Sequence, residues 1–104
     1  MTEQKQIKVE VDGAVVAEAV VTPPDEDARA RAQVHVDPGH LPAGTRQQVA
    51  AAVHEAVVAD AAQHLTAALP RGDAELVEEM RGHLDHAELR SAGASSIIEG
   101  DVKQ

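Results

Sequence analysis

Ala28-Arg29-Ala30-Arg31-Ala32-Gln33-Val34-His35-Val36-Asp37 alternates without a break between small apolar and polar side chains. A period of two is the pitch of an extended strand, so the even positions share one face and the odd positions the other. Ala28, Ala30, Ala32, Val34 and Val36 make a packing face, and Arg29, Arg31, Gln33, His35 and Asp37 make an open one. A strand packed on one side and wet on the other is characteristic of an antiparallel sheet.

Two similar segments precede it. Ile7, Val9 and Val11 alternate with Lys8, Glu10 and Asp12; after Asp12-Gly13, Val15, Ala17, Ala19 and Val21 share one face, with Val16, Glu18 and Val20 on the other. A two-residue turn at Asp12-Gly13 pairs Ile7 with Glu18 and carries that carboxylate to the core. A three-residue loop, Val11-Asp12-Gly13 with a left-handed Gly13, pairs Val9 with Val15 and Ile7 with Ala17 and keeps the face apolar, so this register is expected. Thr22-Pro23-Pro24-Asp25-Glu26-Asp27 is an exposed connection. The first 36 residues therefore form a three-stranded meander.

A loop, Asp37-Pro38-Gly39-His40-Leu41-Pro42-Ala43-Gly44, leads to Thr45-Arg46-Gln47-Gln48. That tetrad matches a capping box, with the Thr45 hydroxyl accepting from the third helical N–H and Gln48 reaching back. Val49, Val53, Ala56 and Val57 mark the apolar stripe of a helix ending near Ala59. His64 to Leu69, closed by Pro70, is read as a short strand, against the helical preference of its alanines. Asp73 caps a second helix with Leu76, Val77, Met80 and Leu84 inside, expected to run to about His86. Ser91-Ala92-Gly93 breaks the chain, and Ala94 to Val102 forms a last strand. The expected fold is α+β: a three-stranded antiparallel meander followed by helix-strand-helix-strand, helices packed on one face of the sheet. Residues 1–6 are expected as a flexible N-terminus and 7–102 as a single domain.

Composition narrows function. Nine Lys+Arg against 18 Asp+Glu give a net charge of −9, and the chain has no Phe, Tyr or Trp. Phosphate backbones are held by cations and single-stranded bases by aromatic stacking, so no nucleic-acid partner is expected. No apolar run reaches the roughly 20 residues that span a bilayer, the polar N-terminus carries no apolar secretion segment, and no membrane partner is expected; a cytoplasmic location follows by default. Without Cys there is no disulfide, thiol nucleophile or Cys-type zinc site. Alanine contributes 20 residues and valine 14, against six Leu and three Ile. Such side chains bury little area each, so self-association is expected to supply missing burial, making the chain a homo-oligomer.

The order meander, helix, strand, helix, strand resembles the latter part of the GNAT acyltransferase fold. In that family the loop between the third of these strands and the helix cradles the cofactor pyrophosphate on backbone N–H groups. The resemblance implies that Asp37 to Arg46 plays this part, with Gly39, His40, Gly44, Thr45 and Arg46 as ligand-binding residues at a helix start suited to an anion. The two glycines stand five apart, and Pro38 and Pro42 bring no N–H. Leu-Pro-Ala-Gly-Thr-Arg with the later Leu-Pro-x-Gly-Asp-Ala-Glu is also similar to a group of short bacterial proteins, which implies no activity.

Other chemistry is sparse. Ser91, Ser95 and Ser96 lack the strand-turn-helix setting of a nucleophile, and Glu78-Glu79 and Asp25-Glu26-Asp27 fall on wet surfaces. No catalytic residue and no cofactor is assigned from the residues. His83 and His86 are placed three apart on one helix face, within reach of one metal, but a third ligand is awkward and no metal is assigned. His54 and His64 are read as edge residues. The open sheet face is the expected interface: Val16, Glu18, Val20, Arg29, Arg31, Gln33 and His35, apolar at the centre with mixed charge around it. The leading reading is an acidic, non-enzymatic interaction module that self-associates or binds a protein partner there; the alternative is a degenerate GNAT-like domain binding an acyl-CoA or a nucleotide at Asp37–Arg46. A nucleic-acid mimic ranks last, because Arg and His interrupt the acidic rows.

Overall fold

The computed structural model describes residues 4–37 and 41–103. Its elements run β1 (Lys5–Val11), β2 (Ala14–Thr22), β3 (Arg29–Val36), α1 (Thr45–Ala59), β4 (His64–Pro70), α2 (Ala74–Arg81), β5 (Leu84–Ala92) and β6 (Ser95–Val102). One six-stranded sheet has the order β1-β2-β3-β4-β6-β5, antiparallel except for the parallel β3–β4 pair. Both helices pack on one face, α1 over β1, β2 and β6 and α2 over β5 and β6, in contact with each other. The α+β class and the order of the meander and the first helix-strand-helix are as the periodicity demands. Of the expected flexible stretch 1–6, residues 1–3 lie outside the described residues, and Lys5 and Gln6 are already in β1.

The first hairpin keeps its greasy face by a different route from the one expected. Asp12 and Gly13 both have positive φ, 52° and 82°, and Val11 pairs with Ala14. That is a two-residue turn of the kind whose twist matches the strands it joins. Glu10 then pairs with Val15 but Val9 with Ala17, which leaves Val16 as the extra residue of a β-bulge. The bulge moves Ile7 opposite Ala19 and returns Glu18 to the open face, so Val9–Val15 and Ile7–Ala17 are not the partners. It also leaves Val15 41% exposed and turns Val16 to pack against the core.

Two further departures have local causes. Thr45 is the first residue of α1 rather than its cap: Gly44, with φ 85°, is the N-cap, and the Gly44 carbonyl accepts the first bond from the Gln48 N–H at 2.9 Å. The Thr45 hydroxyl instead donates backwards to the Pro42 carbonyl at 2.8 Å, so the capping box is not formed. The second helix stops at Arg81, with Gly82 as its C-cap, and the chain turns into β5 at Leu84. The expected last strand, Ala94 to Val102, is present as β6, and the residues expected at the end of the second helix and after it form a further strand, β5, that pairs with β6 around Gly93. His83 and His86 do not share a helix face: His83 lies in the turn and His86 on β5.

The core holds Val, Ala and a few longer chains: Leu65, Leu69, Leu76, Met80 and Ile98 are all at most 2% exposed. α1 lays Val49, Val53 and Val57 on the sheet at a spacing of four. It ends in a Schellman motif, where Ala62 N–H reaches the Val57 carbonyl and Ala61 N–H the Val58 carbonyl, both at 3.0 Å. The left-handed residue of that motif is Ala61, φ 58°, where glycine is the usual occupant. Gly100, by contrast, lies tight against β5: a Cβ there would sit 3.0 Å from both the Asp85 carbonyl oxygen and Leu84 Cβ. Opposite signs follow for two small substitutions. In urea denaturation Ala61→Gly is expected to stabilise by about 0.5–1 kcal/mol through relief of the left-handed backbone, whereas Gly100→Ala is expected to destabilise by about 1–3 kcal/mol through overpacking.

Candidate functional site

The parallel pair β3–β4 is short for a reason written in the sequence. The His64 N–H donates to the Ala28 carbonyl, which sets the phase of the ladder, and the last pair is Gln33 with Ala68. In a parallel ladder the even residues of β3 then face β4, and the rung after Ala68 would need the residue-70 N–H to donate to the Val34 carbonyl. Residue 70 is proline and has no such hydrogen. Pairing stops there, although β3 continues to Val36 and β4 to Pro70. The sheet forks between the two carboxyl ends, with backbone groups of Val34 and Val36 directed into the gap.

Below the fork, on the helix side, an open groove of about 540 Å³ is lined by Val36, Asp37, Arg46 and Pro70 to Glu75. A second groove of about 510 Å³ shares Arg46 and Glu75 with it and runs past Leu41 to Gly44, Gln47 and Glu79. The N-terminus of α1 opens here. Its N-cap is a glycine, so no side chain occupies the first-turn N–H groups, and these carry the positive end of the helix dipole.

Arg46 does not stand free at this opening. Its Nε donates to both Asp73 oxygens, at 2.8 and 2.9 Å, and Nη1 donates to Glu75 Oε2 at 3.2 Å. These bonds, the Asp73 one foremost, raise its pKa against partial burial. Asp73 also caps α2 as expected, accepting from the Leu76 N–H at 3.0 Å, so one carboxylate ties the starts of the two helices together. Of the five loop residues nominated from the sequence, Gly44 and Arg46 line this opening, Thr45 is buried with its hydroxyl and its N–H both donating to the Pro42 carbonyl, and Gly39 and His40 lie outside the described residues. Sequence reading misses Pro70, Asp73 and Glu75 as neighbours of Arg46, since the separation of 27 residues between Arg46 and Asp73 leaves no periodic trace.

The histidines gather elsewhere. On the open face, His64 Nδ1 lies 2.8 Å from Asp101 Oδ1 and His86 Nδ1 3.1 Å from Oδ2. Hydrogen bonds from His86 and then His64 hold the Asp101 carboxyl below its usual range. Among the described residues no group of three or more His, Asp or Glu side chains is arranged to hold a metal ion. His54 and His83 stack at 4.5 Å, and His54 Nε2 is 2.7 Å from the Lys103 carbonyl oxygen. The nominated interface residues Glu18, Arg29, Arg31, Gln33 and His35 are exposed and Val20 is half-buried. Val16, nominated with them, is half-buried at the bulge, packed against the core, and lines a small depression with Glu18 and His35. No helix among the described residues is long and apolar enough to cross a membrane.

Comparison with solved structures places this architecture. A ribosomal-protein-alanine N-acetyltransferase from Brucella melitensis superposes with a TM-score of 0.67 at 17% identity, covering 97% of this chain and 69% of that one. A GNAT-family acetyltransferase from Streptococcus pneumoniae gives 0.68 at 10%, covering 96% and 67%. A phosphinothricin acetyltransferase from Sinorhizobium meliloti, solved with acetyl-CoA, gives 0.66 at 10%, covering 95% and 61%. The fold is thus that of the GNAT acetyltransferases, and the chain spans about two thirds of their length. No family model and no curated protein matches the sequence.

Burial, then the neighbouring His54, lower the pKa of His83 below 6.5; Glu79 opposes this and Lys103 adds to it. A histidine depressed in the folded state takes up its proton more readily when unfolded, so stability falls as pH drops through the region of 6.5 and below. Urea midpoints measured at about pH 7.5 and about pH 5.5, on either side of that region, are expected to differ less in His83→Gln than in the unaltered chain.

Proposed function

We propose that the chain is a GNAT-fold domain that binds an acyl-CoA at the fork between β3 and β4. The fork itself carries this reading. Pro70 ends the ladder where the backbone of Val34 and Val36 would otherwise continue to pair, so an extended amide-bearing chain has partners there in the manner of an added strand. The glycine-capped start of α1 lies at the mouth of the same opening and suits a pyrophosphate. The likeness to a phosphinothricin acetyltransferase solved with acetyl-CoA supports the same ligand class.

The residues also set the affinity. Arg46 is shared with Asp73 and Glu75, and Asp37 lines the groove, so a polyanion meets carboxylates as well as N–H groups. Binding is accordingly weaker than the backbone geometry alone would give. The residues best placed to hold the ligand are Val34 and Val36 through their backbones, Gly44 and Gln47 at the helix start, and Arg46 once drawn away from Glu75.

A thermal-shift series with coenzyme A and acetyl-CoA, followed by amide NMR, tests this. The expected result is a rise in Tm at millimolar ligand, with the largest amide shifts at Val36, Arg46 and Gln47. Glu75→Gln is expected to tighten binding several-fold and Arg46→Ala to weaken it, in line with one charge pair at a partly exposed site. No rise in Tm and no amide shift at the fork with either compound would overturn the assignment.

A further inference from the structure

The face of the sheet away from the helices has a charge pattern that maps onto itself. Strand pairing lines up Arg29–His64–Asp101 in one row and Arg31–Thr66–Glu99 in the next, running across β3, β4 and β6. Each row has a cation on β3, a polar residue on β4 and an anion on β6. The third row, Gln33–Ala68–Ile97, carries no charge and joins Val20 on β2. These side chains are exposed or half-buried.

We propose that this face binds a second copy of the chain, two sheets packed face to face about a two-fold axis along β4. A rotation about that axis exchanges the positions of β3 and β6 and leaves β4 over itself. Arg31 then lies over Glu99 of the second copy and Arg29 over its Asp101, and both contacts occur twice because the interface is isologous. Ala68 meets Ala68, and Gln33 meets Ile97. Any other occupant would need the same alternation of charge, whereas a second copy has it by symmetry.

The anions are fixed before the second copy arrives. Arg90 donates to Glu99 through Oε1, leaving Oε2 for Arg31 of the mate, and His64 and His86 hold the two oxygens of Asp101. The third row adds contact between the two Ala68 side chains and between Gln33 and Ile97, with Arg90, the β5 neighbour of Ile97, at the flank over Val20. A core built of Ala and Val gains from burying this further area.

The symmetry provides a test that a single surface charge would not pass. Sedimentation velocity on the whole chain at micromolar concentration is expected to give about twice the 10.9 kDa of one copy. Arg31→Glu opposes like charges at both symmetry-related contacts, and so does Glu99→Arg; each is expected to raise the dimer Kd by at least about tenfold. An equimolar mixture of the two variants restores both contacts. In a mixed pair the carboxylate introduced by Arg31→Glu lies over the guanidinium introduced by Glu99→Arg, and the other contact is the original one. The mixture is therefore expected to return to dimer with one chain of each kind. Circular dichroism of each variant and the milder pair Arg31→Gln and Glu99→Gln guard against misfolding. A monomer at high micromolar concentration, a dimer indifferent to both reversals, or a mixture that stays monomeric would each overturn the proposal.

Discussion

Because Pro70 has no N–H to donate, the one parallel pairing in the sheet ends at Gln33 and Ala68, and two strands that lie together for five rungs separate at their carboxyl ends. Everything at that end is arranged around the separation: the glycine-capped start of α1, the Arg46–Asp73 bridge and the two grooves. Had position 70 carried an N–H, continued pairing would seal the sheet beneath the helix, and the opening would have no backbone groups to offer.

The Arg46–Asp73–Glu75 group explains how the opening keeps its shape. Asp73 satisfies an N–H of α2 while binding Arg46 of α1 through both oxygens, so two helix starts that come from opposite ends of the β4 sequence are held at fixed separation. Carboxylates at a helix N-terminus offset the positive end of its dipole. The same residues that order the site therefore temper its appetite for anions, and structure and affinity are coupled through one guanidinium.

Legibility from sequence follows burial. β3 is legible from Arg29 to Val36 because its odd positions are all polar and its even ones all small and apolar, and the sheet keeps that division; Ala28, expected on the packing face, falls just outside the strand with a left-handed backbone, φ 58°. The helix start at Asp73 is visible because a short polar side chain followed by a 3.6-residue stripe has few other meanings. β5 is not visible: Leu84 continues the spacing of Leu76, Val77 and Met80, while as an edge strand β5 buries only Leu84 and half-buries Ala87, leaving no alternation to detect. The bulge at Val16 and the left-handed Ala61 escape for another reason, since neither residue type announces such a backbone. Of the candidate site, the helix start is legible and its carboxylate partners are not, because they are brought in by the fold and not by spacing.

The absence of rings and the scarcity of long chains in the interior have a thermodynamic corollary. Alanine has no side-chain torsion to freeze and valine one, so ordering this core forfeits little rotational freedom compared with a core of Met, Leu and Phe. The modest gain per buried residue is matched by a modest entropic loss. Such an interior has few alternative rotamers to explore, and it fixes the spacing of helix and sheet by the contact distance of methyl groups.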